Sequence, residues 1–187
     1  KACQAIVEVG AEVIKSSVLI EHSLGSCKQN DGQIRKEGKY TMILVTGGLG
    51  FIGSHIALSL LARGQEIVIV DNLANSTLQT LERLEYISGM YIPFVKVDVR
   101  NTPALNKVFE QYSIDTVIHT ASFKSLEESA LKPLEYYNDN VSSIMSLLRA
   151  MQRMGVRELI NISSLAVYGQ SSPNFSEETE FNYRYPN

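Results

Sequence analysis

Thr46-Gly47-Gly48-Leu49-Gly50-Phe51-Ile52-Gly53 is the stretch on which the reading of this chain turns. Ahead of it, Met42–Thr46 is a short apolar run, the pattern of a strand buried on both faces. Behind it, Phe51–Arg63 has helical periodicity and stops at Gly64, a residue suited to the left-handed position after a helix. A glycine cluster by itself is weak evidence; a strand before it and a helix after it supply the context. Gly47 permits the tight turn. Gly50 removes a Cβ where the backbone must approach a pyrophosphate, and Gly53 lets the helix pack close to the strand. The helix N-terminus then offers unpaired N–H groups and a partial positive charge. The competing reading is a glycine-rich turn without a ligand.

Beyond this turn the pattern stays regular. Glu66–Asp71 reads as a second strand and Thr77–Ile87 as a helix. Ile92–Val97 reads as a strand, and Thr102–Tyr112 as a helix with Pro103 in its first turn. Thr116–Thr120 reads as a strand. Leu134–Met154 is a long helix between Pro133 and Gly155, and Val156–Ser163 is a further strand. Strand and helix alternate, which predicts an α/β fold with a parallel sheet covered on both faces. Right-handed crossovers favour a doubly wound sheet of order 3-2-1-4-5. Asp71 ends the second strand about 20 residues beyond the glycines, where a carboxylate can bond the adenosine ribose hydroxyls. It would repel a 2′-phosphate, and Asn72 and Leu73 bring no arginine to bind one, so the sequence favours NAD over NADP.

Composition narrows the classes. The 187 residues suffice for one domain with a core; apolar residues make up 44% and charged residues 20%, ordinary for a globular protein. A net charge of −3 calls for neither nucleic acid nor an anionic membrane as partner. No apolar run reaches the roughly 18 residues of a membrane span. No secretion signal is evident, and a cytoplasmic location is the default. Cys3 and Cys27 form no disulfide framework, and no Cys/His cluster has metal-ligand spacing, so no metal is expected. Before Met42, only Ile6, Val9, Val13 and Ile14 suggest an amphipathic helix, and Gly25–Gly32 reads as loop.

Several segments together resemble the extended short-chain dehydrogenases/reductases, and within them the UDP-glucose 4-epimerases (UDP-galactose 4-epimerases). They are the glycine turn, Val70-Asp71-Asn72-Leu73-Ala74-Asn75-Ser76, Asp98-Val99-Arg100 and Val117-Ile118-His119-Thr120-Ala121-Ser122-Phe123-Lys124. Lys132-Pro133-Leu134-Glu135-Tyr136-Tyr137 and Ser163-Ser164-Leu165-Ala166-Val167-Tyr168-Gly169 complete the set. The resemblance runs from Met42 to about Gly169 and more weakly to the end. It implies a Rossmann fold that binds NAD and a UDP-hexose. On this footing residues 1–41 are an unassigned N-terminal extension, and residues 42–187 are the NAD-binding Rossmann domain without a substrate domain.

The resemblance also implies roles. Gly47, Gly50 and Gly53, with the backbone N–H groups of Phe51 and Ile52, would hold the pyrophosphate. Asp71, Asn72, Asn75 and Ser76, with Leu73 and Ala74 between them, would surround the adenosine ribose and nearby phosphate. Asp98 and Val99 would flank adenine, with Asp98 accepting from its amino group. Thr120, Ala121, Ser122 and Phe123 would line the cofactor. Lys124 would reach its ribose or phosphates and the substrate, and Asp139 and Asn140 would add further contacts. Ser164 matches the active-site serine that bonds the sugar 4-hydroxyl and a tyrosine. Plainer readings stand beside these: Lys124 as a solvated lysine, Ser164 as a strand-end cap, His119, Tyr136 and Tyr137 as structural residues, and Tyr168 as packing or substrate-side wall. The chain departs from the family at Asp139-Asn140-Val141 (usually Asn-Asn-Val), at Ala121-Ser122 (usually Ala-Gly) and at Ile162 (usually serine).

The family's proton carrier is a tyrosine in Tyr-x-x-x-Lys, where the lysine favours tyrosinate. No tyrosine of this sequence has lysine four residues on, and Tyr183–Asn187 looks like the approach to that motif. The expectation is a parent enzyme that interconverts UDP-glucose and UDP-galactose as a homodimer through its long helices, and a chain that is inactive alone. One alternative is an NAD-dependent nucleotide-sugar dehydratase or reductase, against which Leu165 argues, since the dehydratases carry an acidic pair near that serine. Another is a non-catalytic NAD-binding module.

Overall fold

A computed structural model of the chain describes residues 41–163. The suggested helix around Ile6–Ile14, Ser164, Tyr168 and the Tyr183–Asn187 run lie outside the described residues. The elements follow in order β1 (Met42–Thr46), α1 (Phe51–Ala62), β2 (Ile67–Asp71), α2 (Leu78–Ser88) and β3 (Phe94–Lys96). Then come α3 (Thr102–Gln111), β4 (Ile114–His119), α4 (Leu126–Leu131), α5 (Pro133–Met154) and β5 (Glu158–Asn161).

The five strands form one sheet of order β3-β2-β1-β4-β5, and every pairing is parallel. This is the doubly wound order expected from right-handed crossovers. Successive residues of each strand enter different cores, because side chains alternate across a pleat. Leu44, Val68, Val70 and Val117 pack with Leu105, Val108 and Phe109 of α3 and Leu147, Ala150 and Met151 of α5. Val45, Ile67, Ile69 and Ile118 pack on the other face with Ile56, Ala57, Leu60 and Leu61 of α1 and Leu84 of α2. With cores on both faces, the central strands have no room for polar alternation; all five residues of β2 are buried.

Three departures from the sequence reading have a local reason. The third strand was expected from Ile92 and starts at Phe94. Pro93 lacks an N–H, and the Ile92 amide goes instead to Glu85 Oε1 at 3.0 Å. The last strand was expected over Val156–Ser163 and is Glu158–Asn161; among the described residues it pairs only with β4, so nothing on its far side extends it. Helix α4 was not anticipated. Ser125 caps it by accepting from Glu128 N at 3.2 Å, and Glu127 and Glu128 stand favourably in its first turn.

The direction of chain progression reverses between β1 and β4. Their carboxyl ends, followed by Gly47 and Thr120, open a crevice there. In open parallel sheets this is where ligands bind.

Candidate functional site

The site is assembled from the loops after β1, β2, β3 and β4 and one flank of α5. A cleft is lined by Gly47 and Gly50 of the first loop, and by Asp71, Asn72, Ala74, Asn75 and Ser76 of the second. Val97, Asp98, Val99 and Arg100 come from the third, Thr120, Ala121, Ser122 and Phe123 from the fourth, and Asp139 and Ser143 from α5.

Its floor is backbone. Gly47 has φ +68°, and a Cβ there would lie 2.7 Å from both Cα and N of Ala121. A side chain is excluded twice, by conformation and by contact with the neighbouring loop. Thr120 Oγ1 donates to the Thr46 carbonyl at 2.7 Å and lies 3.2 Å from that of Gly47, which ties the first and fourth loops together. Helix α1 begins with Gly50 as N-cap, with no capping side chain and no acidic residue in its first turn. Ser54 N donates to the Gly50 carbonyl, so the amides of Phe51, Ile52 and Gly53 precede the helical ladder. A helix end left open this way suits an anion.

Asp71 holds the adjoining wall. Its carboxylate is buried and accepts from Leu49 N (3.1 Å), Leu73 N (2.9 Å) and Ser76 Oγ (2.8 Å). The first bond fixes the glycine loop; the other two fix the loop after β2. Leu73 sits at φ +63°, a strained position for a leucine, and its amide bond to Asp71 helps hold it there. Oδ1 takes two of these donors and Oδ2 one, so Oδ2 keeps a lone pair for a ribose hydroxyl.

At the far end, Asp98 accepts from the Arg100 amide and Nε on Oδ1, and from Arg100 Nη2 and Asn72 Nδ2 on Oδ2. These bonds, led by the Arg100 side chain, lower its pKa to about 2. Arg100 also donates to Asp139 through Nη1. Among the described residues, the charged groups lining the cleft are thus three carboxylates and one guanidinium. A diphosphate bound there would rest on neutral amides and the helix end.

The cleft gathers Gly47, Gly50, Asp71, Asn72, Ala74, Asn75, Ser76, Asp98, Val99, Thr120, Ala121, Ser122, Phe123 and Asp139 from the residues singled out in the sequence. Phe51 and Ile52 carry exposed side chains outside it and offer only their backbone. Gly53 lies beneath the turn, and Leu73 packs against the α1/α2 core. Lys124 is exposed and stands outside the lining. Asn140 also stands outside: its side-chain amide accepts from Phe123 N at 2.9 Å and donates to Phe123 O at 3.1 Å, so it positions the loop after β4. Val97, Arg100 and Ser143 were not foreseen as site residues. For Arg100 a signal existed, since an Asp two residues earlier commonly bonds the following backbone and side chain. Among the described residues no group of three or more His, Cys, Asp or Glu is placed to hold a metal, and no helix is long and apolar enough to cross a membrane.

His119 ends β4 behind the cleft, its Nδ1 2.7 Å from Thr46 Oγ1. Burial lowers its pKa to about 4 from the ordinary 6.5. As pH falls, the unfolded chain takes up this proton first. The contribution is complete above about pH 6.5, lost between there and about pH 4, and level below, on the order of 3 kcal/mol in all. Urea unfolding across that window should show the slope, and His119→Gln should flatten it. An unchanged slope in the variant would reject the assignment.

The geometry fits a dinucleotide: a turn that excludes side chains, an open helix end, and a buried carboxylate with a spare acceptor. Comparison with known proteins agrees. The sequence model of the NAD dependent epimerase/dehydratase family matches residues 43–187. A UDP-glucose 4-epimerase of Neisseria meningitidis serogroup C is 47% identical over 127 residues, covering 68% of this chain and 38% of that protein. One from Klebsiella pneumoniae is 44% identical over 127 residues, covering 68% of this chain and 91% of that sequence. Among solved structures, the UDP-glucose 4-epimerase of Bifidobacterium longum in complex with NAD+ and UDP superimposes with a TM-score of 0.75 at 40% identity. That match covers 76% of this chain and 43% of the other. The chain thus spans about two fifths of the Neisseria and Bifidobacterium proteins. On its fold, its glycine turn and these matches, the chain belongs to the NAD dependent epimerase/dehydratase family.

Proposed function

We propose that residues 42–187 form the NAD-binding part of an enzyme that interconverts UDP-glucose and UDP-galactose. The observation that carries this reading is the glycine turn bonded to Asp71, with the Asp71 Oδ2 acceptor left over beside an open helix end. Bound NAD would supply a hydride acceptor for C4 of the sugar. The residues of this chain bind and orient it. The turn at Gly47–Gly53 takes the diphosphate on backbone N–H groups, Asp71 takes a ribose hydroxyl, and the loops after β3 and β4 enclose the adenine and the remaining cofactor. Ser164, outside the described residues, would bond the sugar 4-hydroxyl. Lys124, on an exposed loop, would reach the phosphates of cofactor or substrate as a flexible cation. A cytoplasmic location belongs to the same proposal.

The sequence holds no Tyr-x-x-x-Lys, so the chain as it stands is expected to bind NAD weakly and leave UDP-glucose unchanged. Titration with NAD, followed by incubation with UDP-glucose and assay for UDP-galactose, tests both halves. Turnover at an enzymatic rate would refute the proton-transfer argument; failure to bind NAD at millimolar concentration would refute the cofactor reading.

A homodimer is part of the proposal. Leu134, Tyr137, Val141, Met145 and Leu148 are all exposed on α5. Their spacing of three and four residues places them in one stripe along the helix. A second copy laid against the stripe would bury it. Met145→Glu should weaken self-association about a hundredfold by sedimentation, because it puts an unpaired charge into the contact. Equal dimerisation of the variant and the parent chain would remove this stripe as the interface.

A further inference from the structure

We infer that Arg100 is a positioning residue for nucleobase recognition, shared between Asp98 and Asp139, and that Asp139 exists to draw it off Asp98 when a base arrives. The inference rests on the dinucleotide reading above.

An ionised carboxylate has about four lone-pair sites. On Asp98 all four are occupied: Oδ1 by the Arg100 amide and Nε, both at 2.9 Å, and Oδ2 by Arg100 Nη2 at 2.7 Å and Asn72 Nδ2 at 3.2 Å. The amino group of a base therefore finds no free acceptor on Asp98 in this arrangement. One donor has to leave.

Arg100 is the donor with somewhere to go. Its Nη1 already donates to Asp139, and both carboxylates line the same cleft. Its backbone is pinned, since Arg100 O accepts from Ser146 Oγ of α5 at 3.3 Å and its amide stays on Asp98. Its side chain is 36% exposed and can pivot without breaking into a core. Turned wholly onto Asp139, the guanidinium gains a two-pronged carboxylate contact. Asp98 Oδ2, still bonded by Asn72 Nδ2, then regains one free acceptor site on a residue that lines the cleft. A 6-amino purine presents a donor to it. A 6-oxo purine presents an acceptor and is repelled. Discrimination between the two thus depends on Asp139, a residue that need not touch the base.

The test compares NAD with nicotinamide hypoxanthine dinucleotide, binding each to the full chain by calorimetry. The parent chain should favour NAD by about tenfold or more, the value of a hydrogen bond to a charged acceptor. Asp139→Ala leaves Arg100 on Asp98, and the preference should fall to within about threefold. Adding Arg100→Met to that variant removes the competing side-chain donors, and the preference should return to about tenfold even though both ligands bind less tightly. A purely structural role for the Arg100–Asp139 pair predicts no such recovery. Should Asp139→Ala fail to fold, Asp139→Asn keeps the shape and loses the charge, and its preference should fall between the two. An unchanged preference in the folded Asp139 variants, or no recovery in the double variant, overturns the inference and leaves the dinucleotide reading standing. Equal binding of the two dinucleotides by the parent chain overturns it as well. Binding of neither overturns the dinucleotide reading itself.

Discussion

Gly53→Ala is expected to unfold the cradle. A Cβ at residue 53 would lie 2.2 Å from the Gly47 carbonyl oxygen, 2.7 Å from Gly48 Cα and 2.8 Å from Thr120 Oγ1. The first two are backbone atoms of the turn itself. The third belongs to a side chain already bonded to the Thr46 carbonyl. No flexible tip can give way, so α1 must move off the end of β1. Overpacking of this kind costs about 3 kcal/mol or more. For a chain of this size that is a fall of roughly 8 °C in melting temperature. NAD affinity should drop below detection, because the amides at the helix start are displaced from the turn. Gly50→Ala separates fold from function. Its Cβ would meet only the Gly47 carbonyl oxygen, at 3.2 Å, but would stand on the cleft surface. It should melt within a few degrees of the parent chain and bind NAD about a hundredfold less tightly. If both variants bind NAD as the parent does, the turn does not hold the diphosphate.

Asp71→Ala is expected to damage binding and stability together. The carboxylate is 7% exposed and serves Leu49 N, Leu73 N and Ser76 Oγ. Its loss leaves two backbone N–H groups without an acceptor at the heart of the site, at about 1–3 kcal/mol each. Leu73 also loses the bond that helps hold it at φ +63°. Asp71→Asn is the gentler probe of specificity. It keeps the shape, removes the charge, and turns one acceptor into a donor. The parent chain should prefer NAD over NADP by at least about a hundredfold, through repulsion between Asp71 and a 2′-phosphate. In Asp71→Asn the preference should shrink to about tenfold or less. A preference that survives the substitution would place the adenosine ribose away from Asp71.

Much of the fold was legible because it follows from backbone geometry acting over short spans. Glu66–Asp71 reads as a strand from its own residues, and the structure buries all five residues of Ile67–Asp71 in the sheet. Gly155 ends α5 with φ +73°, as a glycine after a long amphipathic run suggests. Where a boundary was misjudged, a local bond had outbid the pattern, as Glu85 Oε1 does at the Ile92 amide. The short helix α4 is set by a single serine cap and lies below the length at which periodicity is informative.

The order of residues was enough to specify the strand–turn–helix with its glycines, the alternation that makes the sheet parallel, and through crossover handedness the strand order. Each depends on neighbours within a few residues or on a rule common to all such chains. Folding alone brought about the long-range pairings: Asp71 with the Leu49 amide, Asn140 with the backbone of Phe123, and Arg100 with Asp139. These partners come from different loops and helices, and no local periodicity relates them. They meet because the crossovers return β1, β2, β3 and β4 to one sheet edge and lay α5 alongside it, and which donor reaches which acceptor there is settled by distances of a few tenths of an ångström.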